Sequence, residues 1–268
     1  MVEVSLKKYF TDIHSHILPG FDDGASNLES SLMIARAACE GRVARIIATP
    51  HVNLEASPPD LDLLPEGVKL LNDAFQAHGL PLRAYPGAEV RINTTLLEEG
   101  RNQVNLRRLT LNHAGKYLLT DLPPSNIPLP TDEIFFQLQL SGITPILAHP
   151  ERNGSFHQHP ESLARLIERG VKIQVNTGSL LGHYGKRVKR FCWSLLREDL
   201  AHLVASDAHN FAGKRLDFPL IYRMLSSQLG KVRAQRLIDA NPWNVLMGAP
   251  LEEPNMRGDP GGDSERIR

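Results

Sequence analysis

Thr11-Asp12-Ile13-His14-Ser15-His16 is the first stretch of the chain whose side chains could do chemistry. Residues two apart in an extended strand share a face, so His14 and His16 aim two imidazoles at one point. That is how a metal site begins. His51, Glu89, Asp121, His149, Asp207 and His209 follow the same placement, each at or just past the C-terminal end of a strand-like run. Five of the eleven histidines share that address. Imidazole with carboxylate suits zinc, manganese or iron better than calcium or magnesium, and the lack of thiolates argues against a closed structural zinc site. Five imidazoles and three carboxylates exceed the needs of one ion. Two or three divalent metals are expected, with a carboxylate such as Glu89 bridging, and metal-assisted hydrolysis is the implied reaction class.

Arg152 emerges directly after His149-Pro150-Glu151, while Lys214 and Arg215 lie shortly after His209. A guanidinium matches two phosphate oxygens at once. Metals beside arginine therefore favour a phosphate ester over an amide. His78, His113, His157, His159, His183 and His202 receive no role, although the loop carrying His157 and His159 is expected to border the pocket. Cys39 and Cys192 are too few for a disulfide framework and are read as packing residues, with cysteine chemistry set aside.

The elements that must position these groups alternate between strand and helix. After a turn-rich loop over 18–26, apolar residues at helical spacing predict a helix over 27–41, opened by a Ser26/Glu29 capping box and stopped at Gly41. The run 44–49 predicts a buried strand that delivers His51. Further strands are expected over 82–85 leading to Glu89, over 117–120 ending at Asp121, over 144–148 ending at His149, over 171–176, and over 202–206 ending at Asp207. Helices are expected over 64–78, 131–140 (N-capped by Thr131 or Asp132), 160–169, 186–197, 219–229 and 231–239. About seven alternations argue for a parallel sheet, closed or nearly closed into a barrel whose strand ends converge on one face.

A length of 268 residues suits one such barrel, and 41% hydrophobic with 22% charged residues is ordinary for a globular protein. Thirty basic residues balance thirty acidic ones, so no global field attracts nucleic acid and any anion must be recognised locally. The N-terminus lacks the pattern of a secretory signal, and no run approaches about 18 apolar residues. The expectation is a cytoplasmic protein without membrane insertion. Residues 1–250 are expected to form one domain, and 251–268, rich in Gly, Asp, Pro and Arg, a disordered tail. Nothing in the sequence indicates the oligomeric state.

Six ordered motifs carry a family resemblance: Asp12-Ile13-His14-Ser15-His16, Asp22-Asp23-Gly24, Thr49-Pro50-His51, Gly87-Ala88-Glu89-Val90-Arg91, His149-Pro150-Glu151-Arg152-Asn153 and Ser206-Asp207-Ala208-His209. They resemble the PHP (polymerase and histidinol phosphatase) superfamily, and within it the bacterial manganese-dependent protein-tyrosine phosphatases of capsule and exopolysaccharide operons. The resemblance implies a PHP-type distorted (β/α)7 barrel with a trinuclear site, manganese foremost and iron or zinc as alternatives. By position, His14, His16, Glu89 and Asp207 would hold one metal; Glu89, Asp121 and His149 a second; His51 and His209, with Asp23, a third. Arg152, Asp207 and His209 would carry catalysis, and Arg152 with Lys214 or Arg215 would bind phosphate. The implied substrate is phosphotyrosine on the tail of a cognate tyrosine autokinase that controls polysaccharide export. Two positions depart from the family pattern. Asp121-Leu122 stands where Glu and an aromatic residue are usual, and Lys214 occupies the place of the second arginine. The competing expectations are a PHP phosphoesterase for a small monoester such as histidinol phosphate, or for a nucleic-acid end, and a phosphotyrosine-binding module without turnover.

Overall fold

The computed structural model describes residues 9–55, 62–102, 106–209 and 213–253. The lead over 1–8 lies outside them, as does the expected tail 251–268 from residue 254 onward; residues 251–253 belong to the fold instead, with Leu251 buried and Glu252 N–H donating to Asn241 Oδ1 at 2.8 Å. In chain order the strands are β1 (Phe10–Ser15), β2 (Val43–Ala48), β3 (His51–Val52), β4 (Arg83–Pro86), β5 (Glu89–Arg91), β6 (Tyr117–Asp121), β7 (Thr144–Ala148), β8 (Lys172–Asn176) and β9 (Leu203–Ala205). They form two parallel sheets, one ordered β1-β2-β4 and the other β3-β5-β6-β7-β8-β9. Helices connect most neighbouring strands, as parallel pairing requires.

The chain crosses from the first sheet to the second twice, after β2 and after β4, and both crossings serve the site. Pro50 cannot donate to a ladder, and beyond it His51 opens β3, while the Pro50 carbonyl accepts from the Glu89 N–H at 3.0 Å. Gly87-Ala88 makes the second break; a Cβ at Gly87 would lie 2.8 Å from Ile47 Cγ2, so the crossing needs glycine. His51 and Glu89 consequently begin short strands instead of following long ones, and they sit side by side as register partners. β1 meets the segment after β9 through a parallel bridge, Ser15 to Ala208, with His16 N–H donating to Ala208 O at 2.8 Å and Asp207 N–H to His14 O at 3.0 Å. Asp12 fastens the same seam: its carboxylate accepts from Ser206 N–H at 3.0 Å and Ser206 Oγ at 2.5 Å. Burial pushes this carboxyl up to about 6 despite those bonds.

Packing follows the strand period of two. In β7, Leu147 joins a large apolar cluster with helix residues such as Ile34, Leu138 and Leu225, whereas Ile146 and Ala148 join a smaller one with Ile13, Leu119 and Leu203. Val245, Leu246 and Leu251 close the smaller cluster. The first helix runs Leu28–Glu40 and is capped by Asn27, whose side chain accepts from Ser30 N–H at 2.9 Å; it replaces the expected Ser26/Glu29 box, since Ser26 Oγ turns to Ser30 Oγ at 3.2 Å. Neither Thr131 nor Asp132 caps its helix, because Pro130 occupies the cap position and Thr131 is already helical. The helix expected over 231–239 is Lys231–Gln235 followed by a π turn, Arg236–Ala240. No helix among the described residues is long and apolar enough to cross a membrane.

Candidate metal centre

His14, inside β1, and His16, just past it, are both fully buried and bring their Nε2 atoms to 3.2 Å. Each ring is held from behind. His14 Nδ1–H donates to Gln174 Oε1 at 2.9 Å, and His16 Nδ1–H to Asp22 Oδ2 at 2.6 Å. With both Nδ1 atoms spent as donors, neutral rings would point two lone pairs at each other. A cation between or beside them resolves that conflict, and such backing is the usual support of metal-bound histidine. Gly24 lets the Asp22 turn press close: a Cβ there would fall 2.2 Å from His16 O.

Two buried carboxylates face these nitrogens. Glu89 Oε2 lies 3.4 Å from the Nε2 atoms of both His14 and His16, and Asp207 Oδ1 lies 3.2 and 3.4 Å from them. Asp207 Oδ1 is buried without a hydrogen-bond partner, and Glu89 Oε2 makes no well-directed hydrogen bond although His51 Nδ1 approaches it to 2.9 Å, a costly state for ionised groups unless a cation is present. Burial alone would raise the two carboxyls, yet His14, His16 and His149 hold both well below the usual carboxylate range. The imidazoles respond in kind. Burial disfavours the charged form of His149, but its 2.8 Å bond to Glu89 Oε1 lifts it to about 9. His16 and His51 are likewise raised above the ordinary histidine value, against burial, by Asp207 and Asp22 for His16 and by Glu89 for His51. Protons here do the charge balancing that a divalent ion would do.

Ligand atoms within 4.8 Å of one another form four overlapping groups: His14, His16 and Asp207; His14, Glu89 and His149; His51, Glu89 and Asp121; and His16, Asp23, His51 and His209. These are oxygen and imidazole donors, a fit to manganese, iron or zinc. All nine residues expected as ligands thus stand in one neighbourhood. The partition differs in part from the expected sets, since Asp121 groups with His51 rather than with His149. Asp121 is also held by Arg91, Nη2 to Oδ2 at 2.8 Å, and burial raises its carboxyl. Asp23 is largely exposed and reaches His51 and His209 only at 3.6 and 3.4 Å. His209 is lowered by burial and by the neighbouring His16 charge. His149 and Asp207 adopt left-handed backbone, φ 35° and 52°, uncommon for residues with a Cβ and concentrated at functional sites.

Above the histidines opens a cavity of about 240 Å³, lined by His51, His149, Asp207 and His209 on the polar side and Leu122, Pro124 and Phe156 on the apolar side. Arg152 stands at its wall, donating from Nη1 to Asp207 Oδ2 at 2.9 Å with its guanidinium 4.5 Å over the Tyr184 ring. Arg215 does not line the cavity; its Nε donates to His183 Nδ1 at 2.9 Å, and its guanidinium lies 5.2 Å from the same Tyr184 ring. The Lys214 side chain lies outside the described residues. His157 and His159 stay off the cavity: the first bonds Glu151 O at 2.7 Å and packs on Phe191, and the second pairs with Glu161 in solvent.

Sequence reading passes over the residues behind the ligands. Gln174 Nε2 donates to Asn176 Oδ1 at 2.8 Å, and Asn176 Nδ2 to Asp207 Oδ2 at 2.6 Å, a chain from His14 to the carboxylate that holds Arg152. Gln174 and Asn176 alternate on β8, which ends beside the site, and two amides at that spacing in a buried strand were the available signal. Asp22 is the first residue of Asp22-Asp23-Gly24, the less obvious of two adjacent carboxylates. Cys39 has Arg45 after five residues, a spacing that thiol-based tyrosine phosphatases use to cradle phosphate. Here Cys39 ends a helix and Arg45 lies in β2, bonded to Thr11 at 2.9 Å and stacked on Trp243. Burial pushes the Cys39 and Cys192 thiols up, the second strongly, so neither is a ready nucleophile.

YwqE of Bacillus subtilis (strain 168), a tyrosine-protein phosphatase, is 39% identical over 199 residues, 74% of this chain and 77% of its own length. CpsB of Streptococcus agalactiae serotype III (strain NEM316), also a tyrosine-protein phosphatase, is 27% identical over 240 residues, 88% of this chain and 97% of its own. A crystallographic chain from a study of YwqE and Streptococcus pneumoniae CpsB, described as unique metal-dependent tyrosine phosphatases, superposes with a TM-score of 0.81 at 32% identity, covering 92% of this chain and all of that one. Residues 10–247 match the capsular polysaccharide synthesis family CpsB/CapC. With its motifs, its buried donor set and that match across nearly all of the described fold, this chain belongs to the CpsB/CapC family.

Proposed function

We propose that this chain is a protein-tyrosine phosphatase that uses two or three divalent metal ions, manganese foremost. The observation that carries the reading is the pair of buried carboxylate oxygens, Glu89 Oε2 and Asp207 Oδ1, facing the His14 and His16 Nε2 atoms without a well-directed hydrogen bond, under a cavity that Arg152 flanks. By the motif positions His14, His16, Glu89 and Asp207 would hold one metal, Glu89, His149 and Asp121 a second, and His51, His209 and Asp23 a third, with Asp121 lying where it could join His51 and Glu89 instead. Bound there, the metals supply Lewis acidity toward phosphoryl oxygens and lower the pKa of water. Arg152, pinned to Asp207 and stacked on Tyr184, presents its remaining N–H groups to phosphate oxygens as charge develops on them. Leu122, Pro124 and Phe156 give an aryl ring an apolar wall beside that charge. Tyrosinate, with a solution pKa of about 10, is a tolerable leaving group and makes little demand on a general acid.

The same proposal takes the two parallel sheets, joined by the Ser15–Ala208 bridge, as a PHP-type distorted (β/α)7 barrel in one domain. It takes the substrate as the phosphotyrosine tail of a tyrosine autokinase in capsule or exopolysaccharide synthesis, in the cytoplasm. The crystallographic match supports the fold, and the family match with the named relatives supports a phosphotyrosine protein substrate in capsule synthesis. The test is phosphate release by the manganese-loaded protein from a phosphotyrosine peptide, histidinol phosphate and a phosphorylated oligonucleotide. The peptide should be hydrolysed fastest, chelation should abolish turnover, and Cys39→Ser with Cys192→Ser should leave it intact. Preference for histidinol phosphate, or loss of activity only in the cysteine variant, would overturn the reading.

A further inference from the structure

The helix Gly185–Arg197 begins beside Arg152, a residue of the cavity wall that stacks on Tyr184, and carries an uncompensated positive charge. Tyr184, its N-cap residue, is the ring on which Arg152 and Arg215 both stack, at 4.5 and 5.2 Å. Gly178 makes room for that stack, since a Cβ would come within 3.1 Å of the Tyr184 ring and 3.2 Å of Arg215 Nε. Lys186, Arg187, Lys189 and Arg190 then fill the first two turns, with no acidic residue in the first turn and no side-chain cap. Among the described residues the ion pairs of lysine and arginine engage other cations, and none of these four takes part. The arrangement opposes local stability twice. Cations crowd the positive end of the helix dipole, and Lys186–Lys189, Lys186–Arg190 and Arg187–Arg190 are like-charge neighbours at helical spacing. An acidic ligand relieves both. Lys186, Lys189, Arg190, Trp193 and Arg197 also share one open face of this helix, so the charges and the Trp193 ring meet a partner together.

We propose that this helix is a docking surface for acidic residues flanking the phosphotyrosine in the protein substrate. The proposal rests on the phosphotyrosine reading of the cavity. Continuity with the Arg152–Tyr184 wall favours a polypeptide leaving the cavity over a membrane or a nucleic acid that would meet the helix alone. An extended chain advances about 3.3 Å per residue and a helix about 1.5 Å. The patch therefore reads acidic side chains within about two to six residues of the phosphotyrosine.

The test compares the manganese-loaded wild type with K186E/K189E/R190E, and with the milder alanine triple variant, on two phosphotyrosine peptides with acidic or neutral flanks and on a small aryl phosphate. Fluorescence anisotropy of the same peptides on metal-free protein gives binding without turnover. For the wild type, the acidic peptide should bind and react about ten-fold better than the neutral one, through KM, with the advantage fading as salt rises. The reversal variant should lose that advantage and keep wild-type turnover of the small aryl phosphate. Equal handling of both peptides by the wild type, equal losses on both in the variants, or binding to phosphatidylserine vesicles in place of the acidic peptide would overturn the proposal. Absence of phosphate release from every substrate, with acidic-peptide binding intact, would instead remove the phosphatase reading and leave the docking surface standing.

Discussion

Replacing Gln174 with alanine probes how the buried amides fix the site. Gln174 is fully buried, accepts from His14 Nδ1 at 2.9 Å and donates to Asn176 Oδ1 at 2.8 Å, and Asn176 in turn holds Asp207 at 2.6 Å. Alanine strips the His14 N–H of its acceptor and frees the ring to rotate or change tautomer. A buried donor left unpaired costs about 1–3 kcal/mol, less if water enters the space vacated. Partners behind a metal ligand are worth about ten- to a hundred-fold in metal affinity, or about 1.4–2.7 kcal/mol. The two figures agree, so Gln174→Ala should weaken manganese binding about ten- to a hundred-fold, read by competition with a fluorescent chelator. Thermal melting of the metal-free variant separates this from unfolding. Gln174→Glu keeps an acceptor for Nδ1 and should recover most of the affinity. Unchanged affinity in Gln174→Ala would refute the idea that Gln174 orients His14.

Arg152→Lys keeps a charge but loses the planar fork and the stack on Tyr184. It should lower kcat/KM for a phosphotyrosine peptide about ten- to a hundred-fold, the scale of one charge-assisted hydrogen bond, with metal content unchanged. In the metal-free protein His149 is lifted to about 9, so its contribution to stability is full below the unfolded histidine value of about 6.5 and is lost as pH rises through about 9. The melting temperature of metal-free protein should therefore fall between about pH 7 and 9, and manganese, which requires neutral imidazoles, should bind more tightly over the same range. A melting temperature flat across that range would place the proton elsewhere.

Much of the site could be read from strand ends. His14 and His16 declare themselves by spacing, and Asp121, His149, Asp207 and His209 by their place at the ends of β6, β7 and β9. What stayed hidden depends on long-range geometry. The sheet changes at Pro50 and Gly87 put His51 and Glu89 at the start of strands, and periodicity cannot report to which sheet a two-residue strand belongs. The left-handed turns at His149 and Asp207 leave no mark on composition. Gln174, Asn176 and Asp22 act through partners 160, 31 and 6 positions away, and an amide in a strand looks like any buried polar residue until its partner is known. Asn27 outcompetes Ser26 as cap because the helix starts one residue later than the box would place it, a boundary that local pattern fixes poorly.

The most direct measurement is elemental analysis alongside phosphotyrosine turnover for Glu89→Gln, the residue that touches His14, His16, His51 and His149 at once. Removing its charge while keeping its shape should release at least one metal per chain and abolish turnover, with the fold intact by circular dichroism. Full metal content together with wild-type turnover would contradict a metal centre built on Glu89.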